Sequence, residues 1–276
     1  MPEGDTIFRA ARSLQTALAG KKVTGWRSPL PAFARADFTG KRIDKVEAHG
    51  KSMLIRFDDG SAVHSHMRMT GSWHIYRPGE RWRKPAHYAR LVLETSDYVA
   101  VCFSAPVVEL LQPGRVDGHE AVARLGPDLL KDDFDADEAL RRLRERNPTP
   151  LGEAIMIQRA LAGIGNVYKS ESLFIDRLDP FQPVSAFDDA TLHKLIATAR
   201  KLMMQNLDGF PRTTTRPPSM SMQRGPRAWV YGRRGDPCLV CGARIDMRRQ
   251  GTAARSTYYC PSCQGVAGAK NGTPAR

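Results

Sequence analysis

The strongest constraint on this chain lies near its C-terminal end. There Cys238-x-x-Cys241 is followed, after 18 residues, by Cys260-x-x-Cys263. Two such knuckles can converge four thiolates on one tetrahedral ion. With all four positions supplied by protein, none is left for water, so the spacing predicts one structural zinc. The stretch between the knuckles has the length of a β-hairpin whose tip carries Arg255 outward. The fifth cysteine, Cys102, sits in the apolar run Val99-Ala100-Val101-Cys102-Phe103 and is expected as a buried small hydrophobe.

Clustered thiols of this kind suit an intracellular chain better than disulfides do. No basic-then-apolar leader opens the sequence, and no apolar run is long enough to span a membrane. The expectation is a cytoplasmic protein, nucleoid-associated if bacterial, with no membrane partner. The formal net charge of +13 favours a polyanion, and nucleic acid is the commonest. From Asn206 to Arg276 there are 11 Arg and 1 Lys against 3 Asp, so the surplus is concentrated in the tail. Arginine is the residue suited to bidentate phosphate contact.

A length of 276 residues is more than most single cores use. Residues 6–19 predict one helix, because Ile7, Ala10, Ala11, Leu14 and Leu18 share a face and Gly20 stops it. From Lys21 to about Leu111 the pattern turns to short strands. Residues 52–57 and 61–66 form a hairpin about Asp58-Asp59-Gly60, and further strands fall at 74–76, 89–94 and 98–103. Regular short strands predict an antiparallel sandwich or barrel. Residues 126–150, acid-first and base-last before Asn147-Pro148-Thr149-Pro150, are expected as an interdomain connection.

From Leu151 the chain predicts helices. Ala162-Gly163-Ile164-Gly165-Asn166 separates two of them, with Asn166 expected as the second N-cap, and a longer helix runs from Asp188 to Asn206. A helix start presents backbone N–H groups suited to a phosphate. Residues 209–228, with four prolines among Thr, Ser and Arg, are expected as a mobile basic loop without a core. Gly50-Lys51-Ser52 is not a P-loop, since that pattern needs glycine where Lys45 stands. His49, His64 and His66 have no partner at metal-ligand spacing and read as structural or phosphate-contacting.

The first residues, Met1-Pro2-Glu3-Gly4-Asp5-Thr6, add a chemical possibility. Removing Met1 would leave Pro2 as a secondary amine, and α-amino groups titrate near pH 8, leaving a useful share unprotonated. Such an amine can attack an aldehyde-like carbon, with Glu3 beside it to move a proton.

Pro-Glu-Gly at the N-terminus, a lone Lys51 at a strand start, Ala-Gly-Ile-Gly-Asn between helices, and Val-Tyr-Gly-Arg-Arg-Gly before a four-cysteine ribbon occur in that order. Together they resemble the formamidopyrimidine-DNA glycosylase and endonuclease VIII family over residues 1–264. The resemblance implies an α+β multidomain protein. Its parts would be an N-terminal β-sandwich (1–125), a helix-two-turn-helix domain with a basic loop (151–230), a zinc ribbon (231–265) and a disordered tail (266–276). It implies Pro2 as nucleophile at C1′ of a damaged nucleotide, Glu3 as its acid–base partner and Lys51 as catalytic lysine. It further implies DNA contacts at Arg68, Met69, Asn166, Tyr231 and Arg255, with Met69 as the wedge beneath a flipped base. A monomer acting on damaged DNA, with no small-molecule cofactor, is the expectation.

Two departures qualify the resemblance. Thr6 stands where many relatives carry a second Glu. Phe103-Ser104-Ala105-Pro106-Val107-Val108-Glu109 replaces the Asp-Pro-Arg-Arg-Phe-Gly loop of the formamidopyrimidine branch, which resembles the endonuclease VIII branch and implies oxidised pyrimidines as substrates. A non-catalytic zinc-ribbon protein that recognises abasic DNA, or an RNA binder, remains the alternative; neither has a use for Pro2, Glu3 and Lys51.

Overall fold

Helix α1 (Gly4–Leu18) buries Ile7, Ala11, Leu14 and Leu18 of the predicted face, with Ala10 only partly buried, and Gly20 ends it at φ +77°. The computed structural model describes residues 2–208, 211–220 and 222–266. Of the expected tail, all but Val266 lies outside the described residues. The chain divides into two units, Met1–Leu125 and Gly126–Arg276.

In the first unit, α1 packs on one of two four-stranded antiparallel sheets. That sheet orders β2 (Ile43–His49), β3 (Ser52–Phe57), β4 (Ala62–His66) and β8 (Val107–Leu111) side by side. The other runs β1 (Gly25–Arg27), β6 (Ala89–Glu94), β7 (Val99–Phe103) and β5 (Ser72–Tyr76). Val46, Met53, Ile55 and Val63 from the first sheet share a core with Leu91, Leu93, Ala100 and Cys102 from the second, a β-sandwich. Leu54 faces the opposite way, toward Ala62, Leu111 and Val116. Both faces of β3 are thus covered, which is why its sequence reads as an almost unbroken apolar run. Cys102 is buried as expected, and burial pushes its thiol up to about 12. A one-turn helix, α2 (Glu120–Ala123), closes the unit.

In the second unit, α3 (Ala136–Arg144) is capped by Asp135, whose carboxylate accepts the Glu138 N–H at 2.9 Å. Residues 126–150 were expected as a connection, yet α3 buries Ala139 and Leu143 within this unit. Arg144 fastens it, donating to Asp189 Oδ1 at 2.5 Å and to Phe187 O at 2.8 Å. Short α4 (Leu151–Ala154) leads through turns to α5 (Asn166–Ile175), and α6 (Asp189–Gln205) packs on α3 and α5. Asn166 is the first residue of α5, not its cap; Gly165, in an extended conformation, holds the cap position.

The hairpin β9 (Asp246–Gln250) and β10 (Arg255–Tyr259) forms the ribbon, and β10 lies against α5. Phe174 of α5 joins Val230, Cys238, Ile245 and Cys260 in one apolar cluster. The loop from 211 onward also departs from expectation where it is described. Thr213 is buried, exchanging bonds with the Asn206 side chain at 2.9 Å each, and Thr214 N–H donates to Arg227 O at 2.8 Å. Its proline count hid the Thr and Asn groups that satisfy its backbone.

Candidate active site and nucleic-acid interface

The residues singled out from the sequence divide between the units. Pro2, Glu3, Lys51, Arg68 and Met69 belong to the first; Asn166, Tyr231, Arg255 and the four cysteines belong to the second. Glu3 is fully buried at the head of α1, its carbonyl accepting the N–H groups of Thr6 and Ile7. Pro2 is half-buried beside it, so the N-terminal pair rides on a helix bound to the sandwich.

Lys51 stands in the two-residue turn between β2 and β3, where His49 pairs with Ser52. Gly50 takes φ +57° at the first turn position, a conformation that suits glycine. Across the sheet from Ser52 lies His66. Burial first, then the charges of His64, Arg68 and Lys51, hold the His66 imidazole down at about 4. His66 is therefore neutral at physiological pH among positive neighbours, with its Nδ1 accepting the Arg68 N–H at 3.2 Å.

Arg68 carries φ +44°, a left-handed conformation costly for a non-glycine residue. Next to it Met69 is 66% exposed, against the burial usual for methionine. The loop is braced from both sides. Thr70 Oγ1 donates to Ser104 O at 2.9 Å, and a Cβ on Gly71 would meet Met67 O at 2.7 Å and Ala105 Cα at 2.9 Å. A strained backbone thus holds an apolar side chain out in water.

His64 shows how sequence spacing can mislead. It pairs across the ladder with Glu109, its Nδ1 at 2.8 Å from Oε2, and its Nε2 lies 3.0 Å from Ser52 Oγ. His119 Nε2 reaches the same carboxylate at 3.5 Å, while its Nδ1 accepts the Ala121 N–H. These three ligand-type groups lie within 4.8 Å of one another. Both His64 nitrogens and His119 Nδ1 are hydrogen-bonded, whereas His119 Nε2 meets Glu109 only as the 3.5 Å ion-pair contact. The partners lie 45 and 55 residues away in sequence, beyond any local motif.

In the second unit, Asn166 is 8% exposed at the N-terminus of α5, and its Oδ1 is buried with no hydrogen-bond partner among the described residues. The orphaned atom is an acceptor, so a phosphate at this helix start would be met by donors, the Asn166 Nδ2 and the first backbone N–H groups of α5. Glu171, one turn further along α5, is fully buried. Its Oε1 accepts the N–H groups of Val230 and Tyr231 at 2.9 and 2.8 Å. Its Oε2 accepts the Trp229 N–H at 2.7 Å and the Thr214 hydroxyl. Burial pushes this carboxyl up and the donors pull it down; four converging donors fit the ionised form. Glu171 thereby fixes the segment that carries Tyr231. Arg255 opens β10, exposed, with no side-chain hydrogen bond or ion pair among the described residues. Ala254 before it has φ +47°, again left-handed without glycine.

The four cysteine sulfurs come together. Cys238 and Cys263 Sγ are 3.9 Å apart, and Cys241 and Cys260 Sγ are 3.4 Å apart. A tetrahedron with zinc–sulfur bonds of about 2.3 Å has edges of roughly 3.8 Å, so the set fits zinc and is far from a disulfide. Backbone N–H groups of Val240 and Cys263 point at Cys238 and Cys260 Sγ, supporting the thiolates. One structural zinc is held here.

Three family models match in order. They are the formamidopyrimidine-DNA glycosylase N-terminal domain over 1–106, its H2TH domain over 125–216, and the zinc finger found in FPG and IleRS over 235–266. The chain is 43% identical over 267 residues to the probable endonuclease 8 2 of Streptomyces coelicolor, covering 96% of this chain and 94% of that protein.

The chain belongs to the formamidopyrimidine-DNA glycosylase and endonuclease VIII family, in its endonuclease VIII branch.

It is also 39% identical to the DNA-(apurinic or apyrimidinic site) lyase Nei2 of Mycolicibacterium smegmatis, over 96% of this chain and 99% of that one. Among solved structures, the MutM (Fpg) protein from Thermus thermophilus matches with a TM-score of 0.77 at 26% identity, covering 96% of this chain and 99% of that one. What the sequence did not reveal in this family member is the polar interior of α5. Lys169, Ser170, Glu171 and Ser172 look like a solvated face, yet each is at most 1% exposed. Only their partners on distant segments disclose them.

Proposed function

We propose that this chain is a bifunctional DNA glycosylase and abasic-site lyase of base excision repair that favours oxidised pyrimidines. The observation that carries the reading is the Pro2–Glu3 head, fixed on α1, in a family member related to a protein named as an abasic-site lyase. Once Met1 is removed, the Pro2 amine sits at the positive end of α1, where the macrodipole disfavours its protonated form and keeps the lone pair available. The amine attacks C1′, the glycosidic bond breaks, and the base leaves with a proton. Opening of the sugar ring, assisted by proton transfer through Glu3, gives an iminium at C1′. That iminium acidifies C2′–H, whose loss expels the 3′ phosphate; a second elimination expels the 5′ phosphate, and water releases Pro2. Lys51 stabilises charge near the sugar.

Asn166, Tyr231, Arg255 and Arg68 grip the backbone, and Met69 occupies the gap left by the flipped nucleotide. The preference for pyrimidines follows from the missing Asp-Pro-Arg-Arg-Phe-Gly loop. The 1–125 sandwich supplies the chemistry together with Arg68 and Met69, and the helices of 151–230 with the 231–265 ribbon supply the rest of the grip. The protein works as a monomer in the cytoplasm or on the nucleoid; no helix among the described residues is long and apolar enough to cross a membrane.

The test is covalent trapping. With borohydride present, the protein should become attached to abasic DNA, and one residue added before Pro2 should abolish both attachment and strand cleavage. Trapping by the capped protein removes Pro2 as nucleophile, and a wild-type protein that binds but never traps is a binder only. Faster release of 8-oxoguanine than of ring-saturated thymine overturns the substrate preference.

A further inference from the structure

Lys169 is a lysine 1% exposed, three residues after Asn166 on α5. Its Nζ donates to Ser256 O at 3.0 Å and to Thr257 Oγ1 at 2.7 Å, both on β10 immediately after Arg255. The Thr257 hydroxyl passes on to Gln250 Oε1 at 2.5 Å, and Gln250 Nε2 donates to Pro180 O at 3.0 Å. Gln250 is the residue paired with Arg255 across the hairpin. We propose that Lys169 is a positioning residue that locks Arg255 in register with Asn166, so that the two act as one rigid grip on the DNA backbone. This rests on the reading of Asn166 and Arg255 as phosphate contacts.

Two physical arguments support it. Burying an ammonium carries a desolvation penalty of several kcal/mol, which a Met or Leu at the same place would avoid while still docking helix to strand. What the ammonium adds is direction: it fixes one carbonyl and one hydroxyl on β10, where an apolar contact would tolerate sliding. The turn beside Arg255 also needs fixing. Ala254 at φ +47° is in a conformation that persists only where its surroundings over-determine it. Lys169, Gln250, Thr252 and Arg255 line one cavity of about 190 Å³, so the turn has room to relax once its anchor is gone. Arg255, with no side-chain partner of its own among the described residues, would follow the turn.

The test is a double-mutant cycle on binding to a duplex carrying a tetrahydrofuran abasic analogue, read by anisotropy across a salt series. Arg255→Ala should weaken binding about 30-fold and lower the log–log salt slope by about one. Lys169→Met should weaken it about 10-fold with a similar loss of slope, while zinc stays at one equivalent. The double variant should bind no worse than Arg255→Ala, because the anchor has nothing left to place. Thr257→Val, which keeps the lysine and removes its acceptor, repeats the cycle if Lys169→Met does not fold. Multiplicative effects in the double variant, or wild-type binding by both single anchor variants, overturn the inference. A weakened Lys169→Met protein whose salt slope is unchanged has lost stability and not register, which also overturns it. Cleavage is not needed for this readout, so failure of the lyase reading shows in trapping alone; absence of wild-type binding removes both.

Discussion

Two of the loops that present side chains to solvent make an instructive pair. In the first unit, Arg68 at φ +44° precedes exposed Met69; in the second, Ala254 at φ +47° precedes exposed Arg255. Both place a left-handed, non-glycine residue beside the group on display. They are braced by opposite means. The first is wedged by close packing, with Gly71 so tight against Met67 and Ala105 that no side chain fits. The second is tethered by charge, through the Lys169 ammonium on β10. An apolar tip is held by steric exclusion and a cationic tip by a hydrogen-bonded frame, so the two should fail differently.

The largest expected effect falls on the tethered side. Cys260→Ser should release the zinc, which in small modules supplies on the order of 10 kcal/mol, and abolish DNA binding. The sandwich should keep its own cooperative melting transition, because its core is apolar and none of the four cysteines belongs to it. Loss of both transitions together in calorimetry would mean the units depend on one another.

Gly71→Ala should cost the sandwich about 1–3 kcal/mol, since a Cβ 2.7 Å from a backbone oxygen must push the loop aside. Lesion excision should suffer with stability while zinc content stays at one equivalent. An unaltered melting temperature would show that the brace is looser than its geometry.

Glu171→Gln tests the charged frame from its other end. An amide can accept with one oxygen only, so at least one of the N–H groups of Trp229, Val230 and Tyr231 loses its partner, at about 1–3 kcal/mol. Affinity for abasic DNA should fall through Tyr231, with the sandwich transition unchanged. Wild-type affinity would separate Tyr231 from binding.

The smallest effect is a pH dependence confined to the first unit. His66 is held at about 4, whereas in the unfolded chain it titrates near the ordinary value of about 6.5. Between those values the unfolded chain binds a proton that the folded one refuses. Stability is therefore full above pH 6.5 and is lost as pH falls toward 4. The sandwich transition should move down in temperature between pH 7 and pH 5, and His66→Asn should flatten that slope. A slope that survives the substitution assigns it to another group.

Legibility in the sequence followed the range of the interactions. The zinc site was readable because two knuckles encode their own geometry, and α1 because one helix face needs only its own period. The β3–β4 hairpin was likewise carried by Asp58-Asp59-Gly60, with Gly60 at φ +79° as that turn requires. Asn166 was placed one position off, since Gly165 and Asn166 are both acceptable caps and only backbone direction separates them.

By itself, then, the sequence determined the elements whose stabilising contacts are local, and through the ordered motifs it determined the family. The tertiary structure alone decided the burial of Lys169 and Glu171 and the His64–Glu109 pair. A lysine or glutamate on a helix has the same local pattern whether it faces water or a partner. His64 meets Glu109 45 residues away, Lys169 meets Thr257 88 residues away, and Glu171 meets Tyr231 60 residues away. Buried charge is tolerable only where such a partner arrives, and the arrival is a property of the assembled fold.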